Sequence, residues 1–203
     1  MLRAMPLWLA LVIAHLAVAC VDGAGDAGAS DDAGVDPSSF IALQRDFQGF
    51  LEWERVFAGV GQLSSTDGHG ETERYVHLKE RPAPDDTAFP VGSILVKTHE
   101  DATRPKTEWT IFAMVKRAET YNADGAQGWE WFELALDDDE AAIIVWRGTK
   151  PPDGHNYGCL TGTCVERGSC NVCHVSEDND HVLTPELDYS AQFANSLLDG
   201  GVP

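Results

Sequence analysis

The chain has 203 residues, with 33 acidic against 14 basic side chains and a formal net charge of -19. That length fits one domain with additional segments. So acidic a surface repels phosphate, which argues against a nucleic-acid partner.

At the amino end, Arg3 precedes an apolar run from Pro6 to Ala19, broken only by His15. Small residues and then Cys20 end the run. This pattern predicts a secretory signal over residues 1–19, too short for a membrane span. Leu16-Ala17-Val18-Ala19-Cys20 resembles a bacterial lipobox, in which Cys20 becomes the lipidated first residue. The alternative is ordinary signal cleavage nearby. Either route exports the mature chain to the periplasm or outer membrane, with a lipid anchor as the only expected membrane contact. Residues 20–39 are expected to be a disordered acidic tether. Val21 to Ser39 holds five aspartates and no basic residue, and it has little to bury.

The domain is expected over residues 40–203. Phe40, Leu43, Phe47, Phe50, Leu51 and Phe57 recur at helical spacing, which predicts a helix from Ser39 to Phe57. Ser38 or Ser39 caps it and Gly59 and Gly61 end it. Ser64 to Gly70 reads as a polar loop. Strand patterns follow at Glu73–Leu78, Ser93–Glu100, Thr107–Glu119 and Gly128–Leu136, with a proline-broken connector from Arg81 to Pro90. Asp124-Gly125 marks the turn of a hairpin between the last two. Ala141 to Trp146 is a brief apolar run, and Arg147 to Ser169 an irregular glycine- and proline-rich loop. The expected fold is α+β. It is an antiparallel β-sheet of four or five strands with flanking helices, followed by a C-terminal loop that carries a cofactor motif.

That motif is Cys170-Asn171-Val172-Cys173-His174. Cys-x-x-Cys-His is the attachment pattern of c-type haem. Two thiols add across the porphyrin vinyl groups, and the adjoining histidine delivers its imidazole to one face of the iron. A redox dithiol or half of a zinc site are the competing readings. Zinc needs a second ligand pair, and Cys159 and Cys164 are spaced unusually for it. Those two cysteines read instead as a disulfide, which an exported protein permits. Export also suits c-type haem, which is attached outside the bacterial cytoplasm.

Several short motifs surround this one. Phe89-Pro90-Val91-Gly92-Ser93-Ile94-Leu95-Val96-Lys97 resembles the stretch of the cytochrome P-460 family that ends in its haem-crosslinking lysine. Gly128-Trp129-Glu130-Trp131-Phe132 is similar to that family's Gly-x-Trp-x-Phe strand, and Asp180-His181-Val182-Leu183 to its tail after the haem motif. Glu73-Arg74-Tyr75-Val76 matches a family strand that carries an arginine. The resemblance covers roughly Phe47 to Leu183. It implies one covalent haem c on an antiparallel sheet, a homodimer, and oxidation of hydroxylamine. It also implies a bond from Lys97 to a porphyrin meso carbon. The related cytochrome c-prime-beta proteins lack that bond and bind nitric oxide or other small gases. Spacing alone leaves Lys97 either on the core face with Ser93 and Leu95 or pointing to solvent.

The expected assignments are therefore Cys170 and Cys173 on the porphyrin, His174 on iron, and Lys97 modifying the ring. Arg74 is expected on a haem propionate and Glu166 as proton acceptor. Met114 alternates with Phe112 and reads as core, so the sixth iron position is expected to be open. His69, His77, His99, His155 and His181 remain candidate sixth ligands, although each reads rather as exposed or structural. Electrons are expected to leave to a soluble redox partner. The alternatives are a non-catalytic gas-binding protein and an electron carrier.

Overall fold

The computed structural model describes residues 39–62, 71–152, 170–175 and 178–199. They belong to one compact unit spanning residues 35–203. The expected signal segment, nearly all of the tether, the Ser64–Gly70 loop, His69, His155, the Cys159–Cys164 pair and Glu166 lie outside the described residues. Among the described residues, no helix is long and apolar enough to cross a membrane.

Six strands form one sheet in sequence order: β1 Glu54–Gln62, β2 Glu71–Leu78, β3 Ile94–Glu100, β4 Thr110–Lys116, β5 Trp129–Leu136 and β6 Ala142–Gly148. Every neighbouring pair is antiparallel. The four expected strand cores are all present. The brief apolar run at Ala141–Trp146 supplies β6, and β1 occupies part of the expected helix, so the sheet has six strands rather than four or five.

The Ser39–Phe57 helix is not formed. In its place are two tight helical turns, Gln44–Phe47 and Phe50–Glu52, and the start of β1. Gln48 is extended and Gly49 is left-handed at φ 69°, which breaks any continuous helix. The apolar spacing still works, because Phe47 and Phe50 are buried against the sheet. Each such burial contributes about 1.5–3 kcal/mol. Gln48 pins the segment: its Nε2 donates to the Ala142 carbonyl at 2.8 Å, and its Oε1 accepts from the Ala142 N–H at 3.1 Å. Phe57, expected on the helix's core face, is instead exposed on β1.

Alternation divides the sheet into two faces. The first face carries Ile94, Val96, Ile111, Ala113, Val115, Phe132, Leu134 and Leu136, covered by Ala42, Phe47 and Phe50. Glu130, buried on this face, is neutralised by Arg147 in a two-pronged contact at 2.7 and 2.6 Å. The second face carries Val76, Leu78, Leu95, Met114, Trp129, Trp131 and Trp146, and Phe89, Val182, Leu187 and Phe193 pack on it. Met114 is buried in this cluster, as expected. Among the described residues, two α-helices follow the strands, the short α1 Cys170–His174 and α2 Ser190–Asp199. α1 joins the second face through Cys170.

Candidate haem-attachment site

The five motif residues form α1, so the pattern is a helical one rather than a loop. Residues three apart share a helix stripe. Cys170 and Cys173 lie on one stripe, Asn171 and His174 on another. Both thiols are free, Cys170 half-buried and Cys173 exposed. Burial pushes the Cys170 thiol up to about 11. A redox dithiol needs the opposite, a depressed and exposed thiolate. Among the described residues, no group of three or more His, Cys, Asp or Glu is placed to hold a metal ion.

Asn171 docks α1 to the sheet. Its Oδ1 accepts from Trp131 Nε1 at 2.9 Å, Asn122 Nδ2 at 2.9 Å and the Ala126 N–H at 3.1 Å. Its Nδ2 donates to Asn122 Oδ1 at 3.0 Å and to the Thr149 carbonyl at 3.1 Å. A β-carbon on Gly125 would lie 2.3 Å from this amide, so glycine there is a requirement of the dock. The Asp124-Gly125 turn thus closes a hairpin and also admits Asn171.

His174 packs on Trp131, with ring centroids 4.8 Å apart. Its Nδ1 lies 2.6 Å from the His181 carbonyl oxygen. That oxygen can only accept, so Nδ1 carries the proton and Nε2 keeps its lone pair. Metal-binding imidazoles are fixed in this way. Burial, and the nearby Lys97 charge, hold the His174 ring down at about 4, so it is neutral at pH 7. The carbonyl is aimed by two successive left-handed residues, Asp180 at φ 47° and His181 at φ 69°. Asp180 is itself anchored. Its Oδ1 accepts from Lys116 Nζ at 2.6 Å, its Oδ2 from the Phe89 N–H at 2.9 Å, and its carbonyl from Trp129 Nε1 at 2.8 Å.

Lys97 lies on the second face, the α1 side of the sheet, rather than outward. Its register row runs Val76, Lys97, Phe112, Glu133, Trp146 from β2 to β6. Burial and then Arg74 lower its proton affinity, partly offset by Cys170 and Cys173. Arg74 stands opposite His99 on the adjoining strand. Both are on this face. His99 is buried, and desolvation first, then the Lys97 and Arg74 charges, hold it down at about 3. Of the other histidines, His77 is buried on the first face and His181 wraps back on α1, its Nδ1 2.8 Å from the His174 carbonyl oxygen.

Four of the six expected site residues are thus gathered at α1 and the strand above it, and Arg74 joins them from β2. Glu166 lies outside the described residues. Glu133 is the described carboxylate in the Lys97 row, and it accepts a hydrogen bond from Trp146 Nε1 at 2.8 Å. Its alternation with Trp129 and Trp131 on β5 was the signal that could have found it. Asn171 carried no such signal, being a variable position of the motif.

Compared with known proteins, the chain matches no family model, no curated protein and no solved structure.

The residues present fit a c-type haem. Two unpaired thiols share a helix stripe, and one imidazole is held neutral with Nε2 available. Three buried nitrogens have no hydrogen-bond partner among the described residues, and two of them, Nε of Arg74 and Nδ1 of His99, face each other on the second face while His77 Nδ1 lies on the first.

Proposed function

We propose that this chain is an exported monohaem c-type protein that oxidises hydroxylamine or a related small nitrogen compound. The observation that carries the reading is that Lys97 stands on the sheet face against which Cys170 of the motif helix packs. A lysine set half-buried among apolar side chains is costly unless it is paired or chemically used. In this reading Cys170 and Cys173 would hold the porphyrin, His174 would bind iron through Nε2, and the Lys97 nitrogen would bond the ring edge, the ring hydrogen and one amine hydrogen leaving as protons while two electrons pass to a peroxide oxidant.

Haem supplies the redox chemistry and a coordination position for the substrate nitrogen. The chain supplies the rest. His181 fixes the proximal tautomer, and Asn171 holds α1 against Trp131. Glu133, oriented by Trp146, takes up protons that the substrate loses, a role for which Glu166 was the sequence-based candidate. Electrons leave to a soluble redox partner. A homodimer and a lipid anchor at Cys20 belong to the same proposal.

Phe112, between Lys97 and Glu133 in the row, favours a second reading. An apolar side chain beside the ligand position suits a gas-binding protein that does not turn over. The test is expression in a host able to install c-type haem. The expected product is coloured, carries haem mass on the 170–174 segment, and joins a second peptide containing Lys97. Hydroxylamine then reduces an added electron acceptor. Gas binding without turnover selects the second reading. A colourless protein with both motif thiols free overturns both.

A further inference from the structure

Arg74 and His99 face each other across β2 and β3. Directly opposed residues hold their β-carbons about 5 Å apart. Arg74 donates one hydrogen bond, from Nη2 to the Val60 carbonyl at 3.0 Å. Its Nε is buried without a partner. The same is true of Nδ1 on His99, a side chain only 9% exposed. Lys97 stands two residues from His99 on the same strand face. Among the described residues, no carboxylate pairs with any of the three.

Arg55, Arg81, Arg104, Arg117 and Arg147 are treated differently, since each meets a carboxylate. The chain has 33 acidic side chains to draw on. Leaving a guanidinium, an ammonium and a buried imidazole together without a counter-charge is costly. The backbone also makes room for this arrangement. Gly59 is left-handed at φ 99°, and a β-carbon there would lie 3.3 Å from Arg74 Nη2. With the His99 proton on Nδ1, an anion with two coplanar oxygens satisfies both orphaned nitrogens, because a guanidinium edge and an imidazole N–H are directional donors.

We infer that Arg74 and His99 form a seat for a planar oxyanion, a carboxylate or an anion of its shape, beside Lys97. Two sources offer that chemistry: a haem propionate, or a free small anion such as formate or nitrite. Only the first source rests on the proposed haem function.

The experiment compares the wild-type chain with Arg74→Gln, Arg74→Lys and His99→Leu, each checked for native circular dichroism. Formate binding is measured by calorimetry, and the propionate bending bands of haem-loaded protein by resonance Raman. If the seat takes a propionate, Arg74→Gln and His99→Leu shift those bands, Arg74→Lys shifts them less, and formate gives no heat. If it takes a free anion, wild type binds formate, Arg74→Gln weakens binding about tenfold or more, and the bands stay put. If the chain carries no haem, formate binding that Arg74→Gln abolishes sustains the seat while the haem function falls. Folded variants that change neither readout overturn the seat, as does a colourless wild-type chain that binds no formate.

Discussion

His174 and His181 exchange hydrogen bonds: His174 Nδ1 meets the His181 carbonyl at 2.6 Å, and His181 Nδ1 meets the His174 carbonyl at 2.8 Å. This closed pair fixes the tautomer of the motif histidine. It depends on the left-handed turn at Asp180, which Lys116 and the Phe89 N–H hold from outside. Asp180→Ala leaves the mostly buried Lys116 ammonium with the Gln127 carbonyl at 3.2 Å but no carboxylate, and breaking such a pair costs about 3–5 kcal/mol. Urea unfolding measures that loss. In haem-loaded protein the iron–histidine stretching band is expected to broaden or shift, because the His181 carbonyl is no longer aimed.

Asn171→Ala removes one acceptor shared by three donors, Trp131 Nε1, Asn122 Nδ2 and the Ala126 N–H. Stranded donors cost about 1–3 kcal/mol each when buried, although some recover water here. Gly125→Ala destabilises through the same dock, since its new methyl collides with the amide. The two changes are therefore expected to be sub-additive, the double variant losing less than the sum. Thermal or urea unfolding of the four proteins tests this. Strict additivity would show that Gly125 matters for another reason.

Lys97→Met is expected to leave the haem-free protein as stable or more stable, by up to about 1 kcal/mol. It removes a half-buried charge whose proton affinity burial already lowers. The same substitution is expected to abolish the joined haem peptide while leaving haem attached at Cys170 and Cys173. Mass spectrometry and unfolding on one preparation read both effects. A large loss of stability would assign Lys97 a structural role.

Acid destabilises this fold through buried neutral histidines. His77 is held down at about 4, chiefly by desolvation and then by Arg55, and His99 at about 3. Their unfolded counterparts protonate near pH 6.5. The unfolded chain therefore binds more protons below pH 6.5, and stability falls as pH drops from there toward about 4. Each group contributes on the order of 1–3 kcal/mol across that window. Chemical unfolding of His77→Gln between pH 7 and 4 should show a shallower decline than wild type.

Alternation made the sheet readable, because strands buried on two faces still mark each face by what lies opposite. The β5 pattern put Trp129, Trp131 and Glu133 together, and they share the second face. The helix at Ser39–Phe57 failed for a local reason. Phe47 and Phe50 bury equally well from two tight turns, and Gly49 and the Gln48 clamp decide between the two conformations. β1 and β6 were obscured because each is an edge strand with exposed apolar residues, such as Val60 and Val145. At the site, residue identity announced the thiols, the imidazole and Lys97. Asn171 and the His181 carbonyl were invisible, since their roles come from hydrogen-bond direction and not from residue type.

The strand order has a temporal side. Each strand pairs with the one made just before it, so the sheet can close hairpin after hairpin as the chain is made. Trp131, Asn122 and Lys97 are then already in position when residues 170–174 arrive as latecomers. A finished receiving surface limits the interval in which the two free cysteines roam unheld, and so guards them against pairing with the wrong thiol.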